Sequence, residues 1–425
     1  MVEARKTFFI AGIMLGLSLI AAAQSPRLQP ATASSKKAAP SAPRKLTPQQ
    51  KFVMDTVSMA VALPQPDPQD RLRVLASAAN VVSPIDSAMA KNLWREGVRI
   101  ESELVQTGQT PAVSMLANGH GDCGSSQIFV ENLPQSAVVA AEQSLIGAVT
   151  TCPKQTLDAV SRKLDAALQK KIVAPRALMA VMEAQGAKSR WSQSHFEAMF
   201  GSLPDPGEAG AEAENFAAMY MRMATQVEKS SATKAGLQLL EWLGQLDDSK
   251  LRTLAVNITT GAMKQALGEE GFKDALSSDV VASSTVQIVA SSGAKGEVQH
   301  RPIESASVLG AMQNNGTDQM DRLRDLPASE RARESAAHGF AAGTSGNKDQ
   351  AGKYFDTAFA ALDEVWETRA AGQNAAAVVE EISEAVAQVD SVNALERAQK
   401  LSDPSAQAIA MLAVARVVAS NGVVR

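Results

Sequence analysis

The sequence predicts an all-α protein of antiparallel helical hairpins, stacked as an irregular α-solenoid and divided into two helical domains. Three observations carry this. At Thr47-Pro48, Asp67-Pro68, Ser83-Pro84 and Asp403-Pro404 an oxygen-bearing residue precedes a proline. Such a pair supplies a cap acceptor, followed by a residue whose missing N–H costs nothing at the first helical position. Apolar residues recur with a period of about 3.6 along most of the chain. Strand-like composition is confined to VVASSTVQIVA at 280–290, where mixed valines and serines fit either a short strand or a frayed helix.

Taken in order, MVEARKTFFIAGIMLGLSLIAAAQ places Arg5 and Lys6 ahead of an apolar run from Phe8 to Ala23 that closes on small residues. This is the pattern of a secretory signal over residues 1–23, with cleavage expected after Ala23. The run is shorter than the roughly 20 residues of a comfortable membrane span, so an uncleaved anchor is the second reading. Residues 24–47 are rich in Pro, Ala and Ser and carry Arg27, Lys36, Lys37, Arg44 and Lys45 without an acid. They read as a disordered linker, whose charge either solvates it or favours an anionic envelope surface.

Residues 48–290 are expected to form an N-terminal helical domain. In the segment opened by Ser83-Pro84, Ile85, Met89, Leu93, Ile100 and Leu104 share one face, while Lys91, Arg95, Arg99 and Glu103 fall largely elsewhere. Helices are predicted near 136–151, 154–171, 175–185, 193–202, 212–228, 231–245 and 249–267. Residues 291–317, rich in Gly, Ser and Asn, read as a flexible linker carrying the sequon Asn315-Gly316-Thr317. Residues 318–425 then form a C-terminal helical-repeat domain, with helices near 328–342, 374–388 and 391–401. Tyr354/Phe355, Ala358/Phe359, Ala361/Leu362 and Val365/Trp366 make a broad apolar stripe within it.

The chain has a formal charge of −4, and loss of residues 1–23 makes the remainder one charge more acidic. An acidic body argues against nucleic acid as a partner. Aromatic residues make up only 4% of the chain, too few for a carbohydrate groove lined with stacking rings. Trp94, Trp191, Trp242 and Trp366 stand on predicted helices as core fillers. Met219, Met221 and Met223 cannot all point one way on a helix.

GHGDCGSS, residues 119–126, is the densest cluster of reactive side chains. Cys123 and Cys152 are the two cysteines of a chain expected to be exported, and a disulfide between them is the default reading. A helix from about Ser125, a turn at Pro134 and a second helix capped by Ser136 and ending near Cys152 would run antiparallel. The start of the first would approach the second part-way along. His120, Asp122 and Cys123 are suitable metal ligands, yet no second cluster supplies further positions, so neither metal nor cofactor is expected. No phosphate loop, HExxH pattern or GxSxG elbow is present. Paired acids such as Glu380, Glu381 and Glu384, or Asp363 and Glu364, read as helix surface.

GDCGSSQIFVENLP (121–134) resembles the cysteine loop of transglutaminase-like hydrolases, which implies a thiol nucleophile at Cys123 activated by a helix N-terminus. That family also uses a histidine on a following strand and then an acid. Here His195 and His338 lie in helical contexts and His300 in the linker, so the pattern departs. DPQDRLRVLASAANVV (67–82) aligns without a gap on DPSAQAIAMLAVARVV (403–418), in the loose style of tetratricopeptide and HEAT repeats. Through these stretches the chain resembles uncharacterised exported α-helical proteins of soil bacteria. The resemblance implies helical fold and export, and no activity.

The function expected is that of an exported, noncatalytic helical-repeat scaffold or protein-interaction module, located in the periplasm or outside the cell. The expected partner is a protein, with membrane contact only through an uncleaved signal or the basic linker. The alternative is an envelope hydrolase, thiol-dependent through Cys123 or glycan-cleaving through an unidentified carboxylate.

Overall fold

The computed structural model describes residues 46–118, 123–277, 321–368 and 375–421. The signal, most of the linker before Leu46, the 280–290 segment, the expected 291–317 boundary, the sequon, His120, Asp122 and His300 lie outside the described residues. Every regular element among the described residues is helical, so the fold is all-α.

The first helices follow their caps. Thr47 accepts from the Gln50 N–H and returns a capping box to open α1 (Pro48–Ala62), and Asp67 accepts from the Gln69 N–H to open α2 (Pro68–Val82). Ser83-Pro84 does not open a helix. Ser83 closes α2, and Asp86 opens α3 (Ser87–Gln106) by accepting from the N–H groups of Ala88 and Met89, both at 3.0 Å. Asp86 outcompetes Ser83 because its free carboxylate reaches two orphan donors at once. Continuing the chain are α4 (Cys123–Asn132), α5 (Glu142–Thr151), α6 (Pro153–Leu168), α7 (Pro175–Gln185) and α8 (Arg190–Phe200). The single helix expected over 136–151 is broken: a 3-10 turn, Gln135–Ala137, precedes α5.

Further on lie the one-turn α9 (Pro206–Ala209), then α10 (Ala213–Ala224), α11 (Lys229–Gly244) and α12 (Ser249–Ser277). α12 kinks at Gly268, whose φ of 82° lies in the left-handed region. The predicted end at 267 is this kink, beyond which the chain resumes a helix. The C-terminal part comprises α13 (Ala328–Thr344), α14 (Lys348–Glu367), α15 (Ala375–Val389), α16 (Ser391–Ala398) and α17 (Pro404–Asn421).

Neighbours in sequence pair as hairpins: α2 with α3, α11 with α12, and α13 with α14. The exception to sequential stacking is α17. Its sequence, PSAQAIAMLAVARVVASN, is apolar around almost its whole circumference, so it needs neighbours on every side. It packs against α15 and α16, and equally against α1 and α2 from the other end of the chain. Ala406, Ala408, Ala410, Leu412, Val414 and Val418 are all fully buried there. Gln49 of α1 reaches across to donate to the Val418 carbonyl at 2.5 Å. The two segments that align in sequence, 67–82 and 403–418, are thus partners in space, each opened by an aspartate cap. One core cluster runs from Val53 to Val418 through all of these helices. The doublets of α14 are buried as their spacing predicts, with Phe355, Phe359, Leu362 and Trp366 each no more than 5% exposed.

Leu412→Ala should cost about 2–5 kcal/mol in urea denaturation, the range for a buried leucine whose cavity does not collapse. Amide exchange should accelerate in α1 and α2 as well as in α15 and α16. Acceleration confined to the C-terminal helices would show that α17 does not join the two ends of the chain.

Candidate functional site: a clasped loop beside a groove

The two cysteines form a disulfide, with an S–S distance of 2.01 Å and a Cα–Cα distance of 5.5 Å. Cys123 is the first residue of α4, and Cys152 stands at the junction where α5 ends and α6 begins. The bond therefore ties the start of α4 to the end of α5, where Cys152 was expected to stand, although the helix that ends there is shorter than the one expected over 136–151. A sulfur in this bond carries no thiolate, so the nucleophile implied by the hydrolase-like loop requires a reduced Cys123.

The chain leading to Cys123 is held by a set of long-range polar contacts. Glu101 of α3 is fully buried, and its carboxylate accepts from Ser144 Oγ of α5 at 2.6 Å and from the Met115 N–H at 2.9 Å. Trp94 Nε1 donates to the Met115 carbonyl at 2.9 Å, and Thr151 Oγ1 donates to the Leu116 carbonyl at 2.8 Å. Gln69 binds the same loop twice, donating to the Thr110 carbonyl at 3.0 Å and accepting from the Ala112 N–H at 2.7 Å. Two glycines permit the close approach. A Cβ at Gly97 would stand 2.7 Å from the Met115 side chain, and one at Gly147 would stand 2.5 Å from the Ala117 nitrogen. Burial pushes the Glu101 carboxyl above its ordinary range, against the opposing hydrogen bonds from Ser144 and Met115. A carboxyl with no solvent exposure and its oxygens engaged this way has no route to a substrate proton.

Glu142, the other carboxylate that burial raises among the described residues, is also structural. It accepts from the Arg176 N–H at 2.7 Å and the Ala177 N–H at 3.4 Å, capping α7, whose own Ala174 offers no side-chain acceptor. The acids of α15 are paired: Glu380 and Glu384 with Arg416, Glu381 with Arg333.

His195 sits in an arrangement that spacing did not announce. Its Nε2 lies 2.7 Å from Asp165 Oδ1, its Nδ1 lies 3.2 Å from Ser194 Oγ, and its ring stacks on Trp191 at 3.8 Å. Serine, histidine and aspartate are thus in line. However, Nδ1 is also 2.8 Å from the Trp191 carbonyl, which can only accept, and Ser194 Oγ donates to that carbonyl too. With its proton on that carbonyl at 3.0 Å, the Ser194 hydroxyl does not offer it to the imidazole. Asp165 also accepts from Trp191 Nε1 at 2.9 Å, so this group clamps α8 onto α6. His338, on α13, lies 5.3 Å from the Tyr354 ring of α14. Among the described residues no group of three or more His, Cys, Asp or Glu side chains could hold a metal ion.

Beside the clasp, α3 and α4 stand apart and leave a groove of about 510 Å³. Trp94, Val98, Ile128 and Phe129 supply its apolar surface, with Arg95 and Arg99 among the polar residues of its rim. Ile128 is 59% exposed, the most exposed of the large apolar side chains among the described residues. A larger cavity of about 860 Å³ lies among α13, α15 and α17, where Phe340 and Val389 meet Arg416 and Glu384.

No protein-family model, curated protein or solved structure matches the chain.

Glu101 was missed in the sequence although a signal for it exists. It follows Ile100 and precedes Leu104 by three, so the helical period that buries those two turns it inward as well. Asp165 carried no such signal, because its role depends on two side chains of another helix.

Replacing Cys123 and Cys152 by serine should lower stability by roughly 3 to 4 kcal/mol, read by guanidinium denaturation under non-reducing conditions. An unchanged midpoint would show that the bond constrains little. Glu101→Ala leaves Ser144 and the Met115 amide buried without their acceptor and should cost about 3 kcal/mol. Folded Glu101 holds its proton more tightly than the unfolded chain does. The stability this contributes is full below the ordinary value of 4.5 and is lost as pH rises through the raised folded value. Lys234 holds Glu197 below its ordinary range and drives the opposite trend, so the informative quantity is parent minus Glu101→Gln. That difference should shift in the parent's favour on acidification from neutral pH; a flat difference would count against the assignment.

Proposed function

We propose that this protein is an exported, noncatalytic helical scaffold that binds another protein in the periplasm or outside the cell. The observation that carries the reading is the use to which the reactive side chains are put. Cys123 is bonded, Glu101 and Glu142 hold a loop and a helix end, and His195 clamps two helices. The groove between α3 and α4, in contrast, keeps apolar surface in contact with solvent. A stack of hairpins suits recognition, because each unit adds surface without needing a reactive centre.

Export is supported by the basic and apolar pattern of residues 1–23 and by a disulfide, which persists in oxidising compartments. Among the described residues no helix is long and apolar enough to cross a membrane. The loose tetratricopeptide and HEAT style of the 67–82 and 403–418 segments accords with a binding role.

The test is site-specific photo-crosslinking in the producing cell, with the crosslinker placed in turn at the exposed positions Ile128, Met221 and Phe340. At least one position should give a discrete adduct with a single exported protein. No discrete adduct from any of the three would sink the reading. Sequencing of the protein recovered from outside the cytoplasm should begin at Gln24, and an intact Met1 would contradict cleavage.

A further inference from the structure

The groove between α3 and α4 carries a charge pattern that specifies its occupant. Arg95 and Arg99 line the groove together with Glu103, and Lys91 lies one turn before Arg95 on the same side of α3, so the three cations follow one another at four-residue intervals over about 12 Å of helix. All three are exposed. Arg99 shares its charge with Glu103 at 2.5 Å, whereas Lys91 and Arg95 make no ion pair among the described residues. On a chain whose formal charge is −4, this row is a local reversal of sign beside apolar surface. Trp94 is only 2% exposed and Phe129 only 7%, so they form the floor, with Ile128 standing up at the edge.

Both walls are fixed before any partner arrives. α4 is tied at its first residue by the disulfide, and just past its last turn Lys163 Nζ donates to the Leu133 carbonyl at 2.6 Å. α3 is held by Glu101 and Trp94 through the clasped loop. A preformed groove spares the ordering cost that a mobile one would add to binding.

We infer that this groove docks an acidic amphipathic helix of the partner protein. Apolar side chains at i, i+3 or i+4 and i+7 enter between Val98 and Ile128, and Asp or Glu residues on the flanking face meet Lys91 and Arg95. The inference rests on the protein-binding reading and names the chemistry of the partner. Two turns of a docked helix match the length of the cationic row.

The test is selection from a random library of displayed peptides of about 16 residues against the immobilised full chain without reductant. Enriched peptides should combine helical apolar spacing with flanking Asp or Glu. Their synthetic forms should bind roughly tenfold more weakly to Ile128→Asp and to Arg95→Glu. Replacing the peptide acids by lysine should abolish binding to the parent and partly restore it to Arg95→Glu. Both substitutions are at exposed positions, and circular dichroism checks that each variant retains its helices and unfolding midpoint. A basic consensus, no enrichment, or self-association of the parent that Ile128→Asp abolishes would overturn the proposal. So would enrichment insensitive to Ile128→Asp, although that result would leave the broader protein-binding reading standing. A crosslinked partner obtained from Met221 or Phe340 and never from Ile128 would separate the two in the same way.

Discussion

A helix apolar around almost its whole circumference cannot stand alone in water, and α17 is such a helix. Its burial forces neighbours onto it from both ends of the chain: α1 and α2 from the start, α15 and α16 from the residues just before it. The charged side chain within its length, Arg416, shows how strictly that burial is managed. Burial works against its charge, and the paired Glu380 and Glu384 more than offset the penalty. Because so much apolar surface meets at one helix, the C-terminal residues are part of the same core as the N-terminal ones.

A second joint, between α3 and α5, is polar. The segment after α3, which holds only a short 3-10 turn at Leu116–Asn118, brings backbone donors and acceptors into the interior, and each must find a partner. The Glu101 carboxylate, the Trp94 indole and the Thr151 hydroxyl meet the backbone of Met115 and Leu116, an arrangement no apolar residue could replace. The Cys123–Cys152 bond ties the start of α4 to the end of α5, the helix whose Ser144 and Thr151 hold that loop. The same accounting covers Glu101, Glu142 and His195, whose donors and acceptors are engaged in holding elements together.

Much of the fold was legible because helix ends are local events. Thr47, Asp67 and Asp403 cap helices as their spacing says, since a cap acts on amides two or three residues away. Where the reading missed, a nearby competitor won. Asp86 displaced Ser83-Pro84, and the stretch from Ser136 breaks into a turn and a shorter helix. An Ala- and Val-rich run has too little polar contrast to mark such a break. His195 and His338 could be placed on helices, but the Asp165 that engages His195 lies on another one.

By itself the sequence determined the all-α class, most helix starts and, because it holds just two cysteines, the partner of Cys123. Each of these depends on interactions within a few residues or on elimination. Tertiary structure alone decided that α17 would draw the two ends of the chain together and that Glu101 would grip the loop. It alone decided that Arg95 and Arg99 would border an open apolar groove. Those outcomes depend on contacts between residues far apart in the chain, where the free energy of burial and of satisfying buried polar groups is settled by which surfaces meet.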